Sequence, residues 1–283
     1  MNIDEFIDCT GNYKLNTENL NSFHLCTPAR VGSSTWHNAF RNKYPHIRSY
    51  HYHDLNNLKT FFKNNKSQVD RLKQYNDKWG TNRSTELIIV YGIRNPIDHI
   101  LSNMMIHHAI EENTVRYNNK FMGNFKFDTN LLSNNPTEII KIMKNNVERY
   151  SYITDWSFDF LNIIKYKLNL DFDKDKGFQI LRKNNITYIF YRMDKINSFK
   201  EQIKEMTELE LGHDYKAVEV LPEVIKERNL ECNHDLKELY KYIKNTIKFD
   251  INYLNNLIDN PLYKYFYTVD ERNEMIEKYN ENK

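Results

Sequence analysis

The residues best suited to chemistry lie near the N-terminus, in the segment FHLCTPARVGSSTWHNAFR at 23–41. Its composition predicts an apolar strand, a tight polar loop and the start of a helix. A helix N-terminus has unpaired N–H donors and partial positive charge, so it binds anions readily. Arg30 adds a guanidinium suited to phosphate or sulfate oxygens. The predicted anion-binding loop comprises Arg30, Val31, Gly32, Ser33, Ser34 and Thr35.

A second turn of the same kind follows the apolar run ELIIVYGI at residues 86–93. This run has the length and composition of a strand buried on both faces. Arg94 comes next, and then Asn95 is a favourable N-cap, Pro96 suits the first helical position and Asp98 suits the first turn. Because ligands bind at the carboxyl ends of parallel strands, we expect the two turns to lie at one edge of a sheet.

Two histidines in YHYHDL are candidates for proton transfer. His51 and His53 are two strand positions apart and share a face, and histidine titrates near neutral pH. Either ring could therefore take a proton from a bound group. The same spacing also fits histidines that merely pack at a strand end, and a metal site there lacks a clear third ligand. Asp54 either orients His53 or caps the next helix.

The remaining pattern alternates strands with helices, which predicts an α/β fold with a central, mostly parallel sheet flanked by helices. We expect a single domain over residues 1–283, with a core at about 20–200 that carries both turns and a helical C-terminal part at about 200–283. Polar stretches at 63–85 and 114–135 are predicted loops. Predicted strands are 23–26, 47–53, 86–93 and 186–191, and predicted helices are 34–41, 136–146, 153–164, 198–210, 234–248 and 268–280, with a further helix from Pro96.

Composition narrows the class of protein. The 283 residues include 40 Lys and Arg against 38 Asp and Glu, a net charge of +2, which does not favour bulk nucleic-acid binding. The three cysteines, Cys9, Cys26 and Cys232, are far apart, which is typical of a reducing compartment. Neither a secretory signal nor an apolar run long enough to cross a membrane is visible. We therefore expect a cytoplasmic protein.

Two motifs together resemble those of the PAPS-dependent sulfotransferases. TPARVGSSTW is similar to the 5′-phosphosulfate loop of that family, and RNPIDHILS is similar to its 3′-phosphate element, where Arg and Ser stand eight positions apart, as Arg94 and Ser102 do. RVGSST, RNPIDHILSNM and the C-terminal NPLYKYFYTVDERNEMIEKY more narrowly resemble the sulfotransferase-like proteins of bacterial capsular polysaccharide synthesis.

The resemblance implies a P-loop-like three-layer fold and transfer of the sulfuryl group of PAPS (3′-phosphoadenosine 5′-phosphosulfate) to a hydroxyl, with PAP as the product and no metal. It places the 5′-phosphosulfate on Arg30 and residues 32–35, and the 3′-phosphate on Arg94 and Ser102. It implies that the core at about 20–200 is nucleotide-binding. The acceptor it implies is a saccharide or a capsular polysaccharide precursor, and the loops at 63–85 and 114–135 are candidates for acceptor contacts and closure. The uronyl 2-O-sulfotransferases carry a similar His-x-His, with the base among them, so we assign His53 as the base for the acceptor hydroxyl and His51 as its supporting or acceptor-contacting neighbour. Arg30 departs from the usual lysine, although tyrosylprotein sulfotransferases also use arginine there. The oligomeric state stays open.

Two other functions remain open from the sequence. A phosphotransferase is one, but the loop lacks the GxxxxGK[ST] pattern and its lysine. A non-catalytic nucleotide-binding module is the other, and the Arg30 departure favours it. Other features have plainer interpretations: Trp36 packs the helix after the loop, DFDKDKG at 171–177 is a turn, and the tyrosines near the C-terminus belong to the core. His107, His108, Glu111 and Glu112 fit a solvated helix end better than a metal site.

Overall fold

A computed structural model describes nine parts of the chain. They are residues 7–8, 14, 20–27, 31–52, 86–110, 135–147, 172–183, 186–212 and 235–282. The strands are β1 Ile7–Asp8, β2 Leu20–Cys26, β3 Arg48–Tyr52, β4 Glu86–Ile93, β5 Phe178–Lys183 and β6 Ile186–Arg192. The helices are α1 Ser33–Lys43, α2 Pro96–Ile110, α3 Pro136–Asn146, α4 Ile196–Thr207, α5 Leu236–Thr246, α6 Ile251–Ile258, α7 Pro261–Phe266 and α8 Val269–Tyr279.

The strands form one sheet in the order β1-β5-β6-β4-β2-β3. Four strands are parallel: β2 pairs with β3 and β4, and β4 pairs with β6. β5 joins β6 antiparallel, and β1 joins β5 antiparallel at the edge. The predicted mostly parallel sheet is confirmed, and the carboxyl ends of β3, β2, β4 and β6 lie at one edge.

The chain divides into two compact units. The first comprises Met1–Arg94, Asp155–His213 and Pro261–Thr268, and the second comprises Asn95–Thr154, Asp214–Asn260 and Val269–Lys283. The first therefore holds the sheet, α1, α4 and α7, whereas the second holds α2, α3, α5, α6 and α8. The two units interleave along the sequence.

In the first unit, one face of the sheet is covered by α1 and α4. Alternate residues of the central strands point to this face, because side chains alternate along a strand. Phe23 stacks on Phe40 of α1 with ring centroids 4.1 Å apart, and Phe178 stacks on Phe199 of α4 at 4.8 Å. The buried cluster on this face also includes Leu25, Trp36, Ile88, Val90, Ile180, Ile189, Tyr191, Ile196 and Ile203.

The opposite face carries the other set of alternate residues and is covered in part by α7. Tyr91 of β4 contacts Phe190 of β6 at 6.1 Å and Phe266 of α7 at 5.9 Å between ring centroids. Phe172 packs edge-on against Phe266 at 4.7 Å. Helices therefore flank the sheet on both of its faces. Tyr263 and Tyr267 are each 1% exposed and belong to the core as predicted, whereas Tyr265 is only partly buried.

The second unit is built from helices with side-chain caps. Asn135, Asp235 and Asp250 accept hydrogen bonds from the first backbone N–H groups of α3, α5 and α6. Phe249, just before α6, packs against Tyr279 of α8 with ring centroids 6.5 Å apart. An N-cap satisfies donors that the helix itself cannot, which fixes where each helix begins.

Most predicted elements appear with small changes in their ends. The predictions for β4 and α3 have the observed bounds, and α4, α5 and α8 differ from prediction by a few residues. β1, β5, α6 and α7 were not predicted. The predicted helix at 153–164 and the polar stretches at 63–85 and 114–134 lie outside the described residues, while Asn135 caps α3. In the described parts of the chain, every helix is too short or too polar to cross a membrane.

Candidate functional site

The candidate site lies where the chain changes direction across the sheet. From β2 the chain goes to β3 on one side, and then returns to β4 on the other side. Such a reversal opens a crevice beyond the carboxyl ends of the two strands, and ligands bind there in open α/β sheets. β2 leads into the loop at residues 31–35, and β4 ends one residue before Arg94. The strands that precede the two predicted turns, β2 and β4, are thus parallel neighbours that end at the same edge of the sheet.

Gly32 shapes the first turn. It is the N-cap of α1 and has a left-handed backbone with φ of 78°, which an L side chain rarely adopts. Its carbonyl accepts hydrogen bonds from the N–H groups of Thr35, at 3.1 Å, and Trp36, at 3.3 Å. Because Gly32 has no side chain, it supplies no capping oxygen to the first N–H groups of α1.

The hydroxyl groups of this turn differ in exposure. Ser33 and Thr35 are buried, at 6% and 5% exposure, whereas Ser34 is exposed. Trp36 is fully buried and contacts the ring of Tyr191 at 5.3 Å, so its predicted packing role is confirmed. An anion at the start of α1 would meet backbone N–H groups and the hydroxyl of Ser34 first.

Arg94 and Ser102 fall in different units. Arg94 is half-buried at the end of β4 in the first unit, and Ser102 is 4% exposed in α2 of the second. The predicted start of α2 is confirmed: the side-chain oxygen of Asn95 accepts from the N–H groups of Ile97, at 2.9 Å, and Asp98, at 3.2 Å. Pro96 occupies the first helical position.

Asp98 connects α2 to two other helices of the second unit. Its carboxylate accepts hydrogen bonds from Lys244 Nζ of α5, at 2.7 Å, and from the hydroxyl of Tyr279 of α8, at 3.0 Å. The hydroxyl of Tyr240 donates to the backbone carbonyl of Asp98 at 3.3 Å. A carboxylate in the first turn also opposes the positive end of the helix dipole. The sequence predicted its place in the first turn but not these partners.

His51 lies at the end of β3, paired in register with Leu25 of β2. Its ring stacks on His37 of α1 with centroids 5.9 Å apart, and His37 Nε2 is 3.2 Å from the hydroxyl of Ser49. Burial, and to a lesser extent the nearby Arg41, lower the pKa of His37, which favours its neutral form. The structure therefore places His37 beside His51, and the sequence had not identified His37 as a candidate.

A third histidine, His24, lies on the opposite face of β2. Its Nε2 is 2.8 Å from the hydroxyl of Ser22, and its ring stacks on Tyr50 at 4.9 Å. Burial lowers the pKa of His24 to about 3, so this ring is neutral at physiological pH. Such a weak base is unsuited to taking a proton from a hydroxyl near neutrality.

Arg192, at the end of β6, anchors the part of the sheet edge next to Arg94. Its side chain is 2% exposed and pairs with Asp194 at 2.6 Å. The same guanidinium donates to the carbonyls of Lys174, at 3.0 Å, and Phe266, at 3.3 Å, and lies over the ring of Tyr267 at 4.1 Å. This network ties β6 to α7 and to the turn before β5.

The DFDKDKG segment is a turn, as predicted, from Asp173 onward. Asp173 accepts the N–H of Lys176 at 3.0 Å on its side chain and that of Gly177 at 2.9 Å on its carbonyl. Gly177 has φ of 66° and leads directly into β5.

Several predicted site residues are not among those the structure describes. Arg30 and His53 lie outside the described residues, as do Asp54, Asp171, Glu111 and Glu112, and the same is true of the side chains of His107 and His108. Within the described ranges, no group of three or more His, Cys, Asp or Glu residues is placed to hold a metal ion.

Comparison with known proteins gives no relative whose function could be transferred to this chain. The sequence matches no protein-family model and no curated protein, and the structure matches no solved structure.

Proposed function

We propose that this protein is a sulfotransferase that moves the sulfuryl group of PAPS to a hydroxyl of a saccharide or capsular polysaccharide precursor. The observation that supports it most is that β2 and β4, the strands that precede the two turns predicted to bind anions, are parallel neighbours at the switch point of the sheet. PAPS carries anionic groups at two separated ribose positions, so it needs two such turns. The proposed fold type is P-loop-like, with the turn after β2 as its phosphate loop.

In this proposal the start of α1 holds the 5′-phosphosulfate. Gly32 and the first turn of the helix supply N–H donors, Ser34 supplies an exposed hydroxyl, and Arg30 supplies the positive charge. Arg94 and Ser102 take the 3′-phosphate, an assignment that rests on their spacing in the sequence. Half-burial of Arg94 favours this role, because charge-assisted hydrogen bonds strengthen where water is reduced.

The reaction is an in-line displacement at sulfur. The acceptor oxygen forms a bond to sulfur while the bond from sulfur to the bridging phosphate oxygen breaks, and PAP leaves with the electron pair. Negative charge grows on the bridging oxygen, where N–H donors and a guanidinium lower the barrier. The acceptor proton passes to His53, with His51 as its neighbour. No metal takes part. We place the reaction in the cytoplasm, as the scattered cysteines suggest.

The deciding experiment titrates the purified protein with 3′,5′-ADP, the product nucleotide, by calorimetry. We expect binding by the wild type and at least tenfold weaker binding by Arg94→Ala, because a charge-assisted contact to phosphate is lost. Arg48→Ala, which removes an exposed arginine from the edge strand β3, is the matched control and should bind as the wild type does. Equal affinity in the wild type and Arg94→Ala would refute the site.

A second measurement addresses transfer. His53→Ala should keep nucleotide affinity and slow sulfate transfer to a saccharide by roughly a hundredfold, the usual contribution of a general base. Nucleotide binding without transfer to any member of a broad saccharide panel would instead indicate a non-catalytic module. A thermal shift with ATP but not with PAPS would indicate a phosphotransferase.

A further inference from the structure

The loop after β2 is held from a strand two positions away in the sheet. The hydroxyl of Tyr191 of β6 donates a hydrogen bond to the backbone carbonyl of Val31, and both residues are fully buried. β4 lies between β2 and β6, so the Tyr191 side chain must pass across β4 to reach this carbonyl. A buried carbonyl needs such a donor, because leaving it unpaired is costly.

Gly92 makes this crossing possible. It is paired with Tyr191 in the β4–β6 register, and a Cβ built on it would fall within the Tyr191 ring. An isolated glycine inside a buried strand typically marks such a close approach. Every other residue type at position 92 would displace the ring and, with it, the donor to Val31.

Met193, the residue just after β6, makes a second contact with the loop. A Cβ on Gly32 would lie 2.6 Å from Met193 Sδ and 3.7 Å from Ile196 Cδ1, so the backbone of the loop rests directly on these side chains. Tyr191 and Met193 thus contact consecutive residues of the loop, Val31 and Gly32.

The hydrogen bond also sets the direction of a donor. In a planar trans peptide the C=O and the N–H point to opposite sides, and none of the described peptide bonds is cis. The carbonyl of Val31 points into the core toward Tyr191, so the N–H of Gly32, in the same peptide group, points away from the core. Consecutive N–H groups presented by a turn in this way form an anion-binding concavity.

We propose that Tyr191 is a positioning residue of the anion-binding loop: across Gly92, its phenol fixes the Val31–Gly32 peptide so that the Gly32 N–H faces the ligand. This inference rests on the proposed function for the identity of the ligand, a nucleotide phosphosulfate. The loop geometry itself can be tested without any ligand.

The first test is hydrogen–deuterium exchange on the full chain. Tyr191→Phe should raise the exchange rate of the peptide containing residues 31–36 severalfold, with little change elsewhere in the sheet. Tyr188→Phe is the matched control, since Tyr188 is a buried tyrosine of the same strand on the opposite face, and it should leave this peptide unchanged. Unchanged exchange of the loop in Tyr191→Phe would overturn the inference, and so would an increase spread evenly over the sheet.

The second test measures affinity for 3′,5′-ADP. Tyr191→Phe should weaken it about three- to tenfold, the range expected for one hydrogen bond. Gly92→Ala should weaken it at least as much, since it displaces the whole ring, while Tyr188→Phe should bind as the wild type does. If the wild type fails to bind, the proposed function fails while exchange still decides the role of Tyr191. If it binds and Tyr191→Phe binds equally well, only the role of Tyr191 fails.

Discussion

The loop after β2 and the turn that begins α2 are fixed by different kinds of interaction. The loop has no side-chain cap: a left-handed glycine starts α1, and side chains from the end of β6 support it. The turn before α2 is held by polar side chains, namely the Asn95 cap and the Asp98 carboxylate with its lysine and tyrosine partners. The glycine cap therefore supplies no side-chain oxygen to the first N–H groups of α1, whereas Asn95 already binds two of the first N–H groups of α2.

The largest effect should come from removing the support behind the uncapped loop. Arg192→Ala leaves two backbone carbonyls without this buried donor and removes the ion-pair partner of Asp194, which keeps the hydroxyl of Tyr267, so we expect a loss of about 3 kcal/mol in the free energy of unfolding. Urea denaturation measures it. Arg48→Ala, at an exposed position, should change stability by less than about 0.5 kcal/mol. If the free energy of unfolding of Arg192→Ala falls by an equally small amount, the contacts of Arg192 do not stabilise the end of β6.

A smaller effect should follow from changing the loop itself. Gly32→Ala combines a strained left-handed backbone with a close approach to Met193, and should cost about 2 kcal/mol. Gly212→Ala is the control, because a Cβ there would meet no atom of the described residues within 4 Å. Thermal unfolding of the two variants compares them directly. Equal melting temperatures would show that the loop accepts a side chain and that its shape is not imposed by glycine.

The smallest effect should appear at the polar turn. Asp98→Asn removes the ion pair with Lys244 and the favourable charge at the start of α2, and should cost about 1 kcal/mol at low salt. Because the side chains are 25% and 21% exposed, 1 M salt should reduce this difference only in part. Glu281→Gln, in the more exposed pair with Lys144, is the control and should cost less than about 0.5 kcal/mol. If Asp98→Asn loses no more stability than Glu281→Gln, Asp98 does not stabilise that turn.

The polar turn was largely predictable from sequence, and the uncapped loop only in part. Asn95, Pro96 and Asp98 act on neighbouring backbone groups, so their roles follow from local spacing, and the continuous apolar run of β4 marks its own ends. Gly32 was also visible as part of a small-residue loop. Its support was not, because Tyr191 and Val31 are 160 residues apart and only the strand order brings them together.

The elements that were not predicted show the same limit. β5, with the sequence FQILRK, is a strand because it pairs with β6. Its Gln179 is buried, which is not expected of a polar residue. α6 carried a usable signal, since Asp250 caps it, but it is only 8 residues long. Gly92 also carried one: a lone glycine in ELIIVYGI marks a close neighbour, although not which one.

The separation of 160 residues between Tyr191 and Val31 has a consequence for biosynthesis. A ribosome adds on the order of 10 residues per second, so β2 and its glycine bend leave the exit tunnel roughly 15 s before their partner in β6 does. During that interval the local contacts of Gly32 can form, but the carbonyl of Val31 has no Tyr191 hydroxyl to bind. Chains released before β6 is made should consequently lack the buried hydrogen bond that joins the two strands, and only completed molecules should have the bend in its final shape.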